Sequence, residues 1–368
     1  MLKAAIFPGR YIQGYNAIHS LDDEIKRINK EKPFIICDPY VLKNILDKCF
    51  VDELSKNAIL KEFSGECTDE DIGDSVSIAD KEKCDLVAGI GGGKTLDSAK
   101  AVANILGVPV IIIPTSASTD APCSALSVIY TSDGNFKRYE FFNKNPDIVI
   151  VDSKIIAEAP VRLLVSGIGD ALATWFEAES CSKKYAKNMA GGLGTNVAFS
   201  IARLCYELLL TYGLQAKLAC ENKIVTPALE HIIEANILLS GIGFESGGLA
   251  AAHAIHNGLT ILPETHKYFH GEKVAFGLLS SLFLTDKSTE VISNIYDFYI
   301  TIGLPTTFED IGLANISDDK LKKCVDYICM DGETIYNEPV AFTKVDVLNA
   351  LKMADAFGRH VKASVKKI

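Results

Sequence analysis

Basic blocks are missing from this chain. Its formal net charge is −10 over 368 residues, and no Lys/Arg cluster offsets that balance, which argues against a nucleic-acid surface or a polybasic membrane face. No uninterrupted apolar run approaches the roughly 18 residues of a membrane span. Residues 1–10, MLKAAIFPGR, lack the sustained apolar core of a secretory signal. Cysteine pairs of the C-x-x-C kind are also absent. The ten cysteines are scattered from Cys37 to Cys329, so they read as reduced, mostly buried thiols rather than a disulfide frame or a cysteine-rich zinc site. There is no fixed-period repeat and no low-complexity tract. What remains is a globular protein of ordinary composition, 48% apolar and 23% charged, expected in the cytoplasm with neither a nucleic-acid nor a membrane partner.

The feature that stands out is a glycine cluster between a strand-like and a helix-like run, Gly89-Ile-Gly-Gly-Gly-Lys-Thr-Leu-Asp-Ser-Ala-Lys100. Glycines let backbone N–H groups approach an anion, and the helix that follows presents the positive end of its dipole. The string misses both familiar phosphate-binding templates. A Walker A loop needs glycine where Ala88 stands, and G-x-G-x-x-G started at Gly89 meets Lys94 at its last position. A triphosphate and a dinucleotide pyrophosphate both stay open on this loop alone.

Around the loop, strand and helix signals alternate. Residues 32–38 read as a buried strand ending in an acid, 41–54 as a helix, 85–90 as a strand, 95–106 as a helix, and 108–114 and 145–152 as further strands. The rhythm implies an α/β domain of Rossmann-like type, a parallel sheet with helices on both faces. From about Val161, segments of helical period take over (163–182, 190–210, 224–239, 249–262 and 273–285) and strand signals nearly vanish. The expected organisation is an α/β domain over residues 1–159 and an all-helical domain over 160–368, with the chemistry in a cleft between them.

Several residues carry chemistry. Asp38 ends its strand where the carboxyl edge of such a sheet faces ligand. An acid there suits an adenosine ribose and repels a 2′-phosphate, favouring NAD over NADP; the plainer reading is a turn aspartate before Pro39. Asp38 precedes the glycine loop, whereas the standard dinucleotide fingerprint has its acid about 20 residues after it. Thr115-Ser-Ala-Ser-Thr-Asp-Ala-Pro-Cys-Ser124 is a hydroxyl-rich loop with one acid, Asp120, directly after a strand. Leu126 and Tyr130 could wall a nicotinamide. In the helical half, four of the seven histidines fall between His253 and His270, namely 253, 256, 266 and 270. A carboxylate such as Asp170 with two imidazoles would make a three-ligand zinc set with one open position; a core histidine is the plainer reading of each alone.

The glycine loop, the hydroxyl loop, Gly169-Asp170, the segment Glu245–Asn257 and the segment His266–Lys273 together resemble the glycerol dehydrogenases, within the iron-containing (group III) alcohol dehydrogenases. The likeness runs in order over nearly the whole chain. It implies a dehydroquinate synthase-like architecture, NAD and a metal as cofactors, and a homo-oligomer, often an octamer. By that resemblance Asp170, His253 and His270 are the metal ligands. Gly92, Gly93, Lys94, Thr95, Asp97, Thr115, Ser116, Ser118, Ser124, Leu126 and Tyr130 are NAD contacts, beside Asp38. Asp120 holds a substrate hydroxyl, and His256 is a proton relay or packs against the metal helix. Iron-dependent members carry a further histidine one turn after the aspartate, where this chain has Thr174, so zinc is the expected metal. The implied activity is zinc-assisted, NAD-dependent oxidation of glycerol, or of a neighbouring diol, at a secondary alcohol. A dehydroquinate synthase-like lyase and a glycerol-1-phosphate dehydrogenase are the alternatives. Both handle phosphorylated substrates, for which Lys267 and Lys273 are the only cations near the histidines.

Overall fold

The computed structural model describes residues 1–365. Six strands form one parallel sheet: β1 (Tyr11–Gly14), β2 (Pro33–Cys37), β3 (Ile59–Glu62), β4 (Leu86–Gly91), β5 (Val110–Pro114) and, after a separate two-stranded hairpin of β6 (Leu126–Tyr130) and β7 (Phe136–Phe141), β8 (Ile148–Asp152). The order across the sheet is β1-β8-β5-β4-β2-β3. β2, β4, β5 and β8 are buried along their whole length, as central strands of a parallel sheet covered on both faces should be.

Helices α1 (Leu21–Arg27), α2 (Pro39–Asn44), α3 (Lys48–Asn57), α4 (Asp69–Lys81), α5 (Gly93–Leu106) and α6 (Ser153–Glu158) belong to the same part of the chain. The single helix expected over 41–54 is two. Asp47 Oδ1 accepts the Phe50 N–H at 2.9 Å, capping a new helix where the first has ended. Gly107, at φ 67°, closes α5 in the left-handed conformation that glycine adopts without strain.

The remaining helices are α7 (Val161–Lys184), α8 (Asn196–Glu221), α9 (Pro227–Glu234), α10 (Ser240–Gly247), α11 (Ala251–Thr260), α12 (His270–Leu284), α13 (Thr289–Ile302), α14 (Asp318–Ile328) and α15 (Lys344–Val365). A π-helical turn, Ala235–Leu239, joins α9 to α10. α8 is long and apolar enough to cross a membrane by length and composition, although Arg203, Glu207 and Lys217 interrupt its sequence.

Contacts divide the chain into two compact units. The sheet unit comprises Ile6–Val161 and Ala219–Gly241; the helical unit comprises Met1–Ala5, Arg162–Leu218 and the chain from Ile242 onward. A single division at 159/160 differs from this grouping at residues 1–5, 160–161 and 219–241. The Ala4 N–H donates to Leu193 O at 3.0 Å, which ties the N-terminus to the helical unit. Gln13 on β1 donates to Glu230 O on α9 at 2.9 Å, which ties that helix to the sheet.

Candidate metal centre and nucleotide cradle

In the sheet unit the candidate residues line the carboxyl ends of neighbouring strands. β4 ends at Gly91, where a Cβ would lie 2.9 Å from Thr95 Oγ1 and 3.0 Å from Asp38 Cβ, so no larger residue fits the turn into α5. Gly92 caps α5 without a side-chain hydrogen bond, and a Cβ on Gly92 or Gly93 would meet nothing within 4 Å. Open space thus fronts the uncapped first turn of a helix, where backbone N–H groups and dipole favour an anion. This cradle fits a dinucleotide pyrophosphate.

Asp38 sits beside it, its N–H bound to Ile90 O at 2.9 Å. Its Oδ1 accepts from Tyr40 N–H at 2.8 Å and Val41 N–H at 3.1 Å, capping α2. The turn reading therefore holds for one oxygen, in a position that still borders the glycine loop. Lys94 pairs with Glu66 at 2.6 Å and lies over the Tyr130 ring, 4.8 Å from its centroid. The Thr115 N–H donates to Gly91 O at 3.0 Å, and the Ser116 and Ser118 hydroxyls are 3.1 Å apart. Leu126 and Tyr130 fall on the half-buried face of β6, while Ser127 and Ile129 face inward.

Three of the expected cofactor contacts have a different setting. Thr95, Asp97 and Ser124 are buried. Asp97 pairs with Lys100 at 2.9 Å and accepts the Val128 N–H at 3.0 Å; burial raises its pKa, against the pull of Lys100. Ser124 donates to Ala121 O at 3.0 Å. Lys100, given no role by the sequence, is the centre of this knot. Buried itself, it also donates to Ala121 O at 3.0 Å and to Leu126 O, fastening the hydroxyl loop and β6 to α5. A lysine three residues after an aspartate on one helix face was the available signal.

The metal candidates come from three helices of the other unit. Asp170 lies within α7, His253 on α11 and His270 at the start of α12, and a ligand atom from each lies within 4.8 Å of the others. Glycines allow the approach. A Cβ on Gly169 would stand 2.6 Å from Gly271 O, and one on Gly271 would stand 1.9 Å from Ser166 O, so α7 and α12 touch backbone to backbone beside Asp170 and His270. Asp170 is 1% exposed and neither of its oxygens accepts a well-aligned hydrogen bond. His270 Nε2 and His253 Nε2 lie 3.1 and 3.5 Å from its Oδ1. A buried carboxylate faced by two imidazole nitrogens is the donor set a divalent cation satisfies.

Around the three ligands stands a supporting layer, of which the sequence reading named His256 but missed Glu177. Glu177, two helical turns beyond Asp170 on α7, meets His253 Nδ1 at 2.6 Å and accepts the backbone N–H groups of Ala250 and His253 at 2.9 and 3.0 Å. With the proton on Nδ1, the Nε2 lone pair faces Asp170. The seven-residue spacing puts both acids on one helix face, which was legible in retrospect. His256 Nε2 lies 2.9 Å from His270 Nδ1 and its own Nδ1 lies 3.2 Å from Asn257 Oδ1. Burial, then the neighbouring His270, Lys273 and His253, hold the His256 pKa well below its ordinary value. That direction favours the neutral imidazole, whose Nε2 can accept a hydrogen bond from His270 Nδ1–H.

For His253, burial opposes charge, yet Glu177 and Asp170 outweigh it and raise the pKa. Burial opposes charge on Asp170 as well, and His270 and His253 outweigh it in turn. His266 stands apart from the cluster, bonded to Thr260 O at 2.9 Å. The place of the further histidine is full: Thr174 is buried, and a Cβ on Gly243 would lie 2.5 Å from Thr174 Cγ2.

Known proteins resemble this chain over nearly its whole length. The sequence model of the iron-containing alcohol dehydrogenase family matches residues 8–153. A glycerol dehydrogenase of Thermotoga maritima is 58% identical over 363 residues, covering 98% of this chain and 99% of that one. The chain belongs to the iron-containing alcohol dehydrogenase family. Among solved structures of the family, glycerol dehydrogenase from Schizosaccharomyces pombe superposes with a TM-score of 0.94 at 37% identity, covering 99% of this chain and 93% of that one. A probable glycerol dehydrogenase from Sinorhizobium meliloti gives 0.90 at 40%, covering 98% and 100%. Iron-containing alcohol dehydrogenases are oxidoreductases, which fits a nucleotide cradle and a metal-ligand set on one chain.

Proposed function

We propose that this chain is an NAD-dependent glycerol dehydrogenase that oxidises the secondary hydroxyl of glycerol, giving dihydroxyacetone. The observation that carries the reading is the Asp170–His253–His270 set with its Glu177 and His256 supports, in a chain 58% identical to a glycerol dehydrogenase. Zinc bound there would supply Lewis acidity that lowers an alcohol's pKa, and NAD would supply the hydride acceptor. Zinc suits three protein ligands, and Thr174, which offers no imidazole, stands one helical turn after Asp170.

Each residue then has a task. Asp170, His253 and His270 hold the metal, and Glu177 fixes the His253 tautomer. Gly92 and Gly93 leave room for the pyrophosphate; Asp38 accepts from the ribose; Lys94, Thr115, Ser116, Ser118, Leu126 and Tyr130 flank the dinucleotide. Asp97 and Ser124 serve NAD indirectly, by shaping the cradle through Lys100, and Thr95 does so by packing at the Gly91 turn. Asp120 accepts from a hydroxyl of the polyol. His256 orients His270 rather than relaying a proton, because its outward partner, the Asn257 amide, does not titrate. A row of exposed apolar residues on α8, Val197, Leu204, Leu214 and Leu218, supports assembly as a homo-oligomer. For a phosphorylated substrate the nearby cations are poorly placed, since Lys267 lies over the Tyr268 ring and Lys273 is buried with its pKa lowered by burial.

The test follows NADH absorbance with glycerol after chelation and after adding back zinc. Activity should vanish and return, and His270→Ala should lose metal and nearly all turnover while still binding NADH. Full activity in metal-free His270→Ala would overturn the assignment, as would turnover of glycerol phosphate but not glycerol.

A further inference from the structure

The π-helical turn Ala235–Leu239 and the first residues of α10 grip the hydroxyl loop at successive points. Asn236 Nδ2 donates to Ala117 O at 2.9 Å. The Ser240 hydroxyl donates to Asp120 Oδ2 at 2.6 Å. At Gly241 a Cβ would lie 2.8 Å from Cys123 Cβ and 3.1 Å from Asp120 O. In an α-helix positions 236 and 241 would point about 140° apart. A π-turn, closed here by the Ser240 N–H on Ala235 O, stacks positions five apart, so all three residues reach one loop.

We propose that Ser240 is a positioning residue for substrate hydroxyl recognition. Its buried hydroxyl fixes the rotamer of Asp120 and stabilises it as a carboxylate, so that Asp120 accepts from a polyol hydroxyl. Ser240 is fully buried and Asp120 is 8% exposed, so bulk water does not replace the bond when the hydroxyl is removed. An ionised carboxylate accepts in about four lone-pair directions, and Ser240 takes one of them. The inference rests on the assignment of Asp120 to a substrate hydroxyl, and the experiment separates the two.

Ser240→Ala and Asp120→Asn are compared with glycerol and with 2-propanol, which has a secondary alcohol but no neighbouring hydroxyl. In Ser240→Ala, kcat/KM should fall about tenfold more for glycerol than for 2-propanol, mainly through KM, the scale of one charge-assisted hydrogen bond. Ser240→Thr should recover most of the loss, and Ser240→Ala should add little on the Asp120→Asn background. Equal losses on both substrates in Ser240→Ala would overturn the role, as would loss of NADH binding by fluorescence, which would assign Ser240 to the fold of the sheet unit. If Asp120→Asn itself fails to discriminate between the substrates, the reading of Asp120 fails first.

Discussion

At the scale of single residues, the site depends on groups with two duties. Asp38 caps α2 with one oxygen and stands beside the glycine loop, so its replacement tests stability and cofactor choice at once. Losing an N-cap costs about 1 kcal/mol. Losing an acid at the ribose should narrow the preference for NAD over NADP. Kinetics of Asp38→Ala with both cofactors should show the ratio of kcat/KM values fall, and an unchanged ratio would leave only the capping duty. The plain turn reading of this residue and the functional one were both visible in the sequence, and capping α2 occupies only one of its two oxygens. Asp97 is the opposite case. Its place in the glycine motif suggested cofactor contact; the three-residue spacing to Lys100 signalled a pairing but not its burial, which depends on which strand packs over the helix.

At the scale of elements, the metal set is assembled by a helix crossing. Gly169 and Gly271, each adjacent to a ligand, let α7 and α12 meet without side chains between them. Gly169→Ala should cost about 1–3 kcal/mol through overpacking and also weaken metal retention, because separating the helices moves Asp170 from His270. Titration with a chromogenic chelator reads the second effect, and unaltered retention in a destabilised protein would confine the glycine to packing. The sequence made Asp170, His253 and His270 nameable through clustering and family resemblance. The crossing itself was not legible, because two glycines far apart in the chain give no local signal. The buried strands β2, β4 and β5 and helix α5 were read to within a few residues, since each has strong periodicity or a continuous apolar run. Edge strand β3, hairpin strand β7 and the acidic helix α4 were passed over, because exposed or half-exposed elements lack that contrast.

At the scale of the whole molecule, stability should respond to pH through Glu338. Burial, assisted by Glu177 and opposed by Ser180 and the Ala251 N–H, raises its pKa from the usual 4.5 to about 7. Between those values the unfolded chain has released a proton that the native protein keeps, so this group's contribution is complete at low pH and is lost as pH rises toward 7. Glu338→Gln keeps an acceptor for Ala251, which Glu338 Oε1 now binds at 3.0 Å. The variant's urea midpoint should therefore fall less than the parent's between pH 5 and pH 8, and parallel curves would mean that the carboxyl is charged throughout.

The change from mixed to helical signals near residue 160 was plain in the sequence. The return of residues 219–241 to the sheet was hidden, because α9 has the same periodicity whichever surface it covers. That return bears on inheritance. A single recombination at residue 160 would deliver a sheet stripped of α9, the π-turn and Ser240, and would leave those residues with a helical unit they do not belong to. A boundary drawn there would part the hydroxyl loop from Asn236 and Ser240, the residues that hold it.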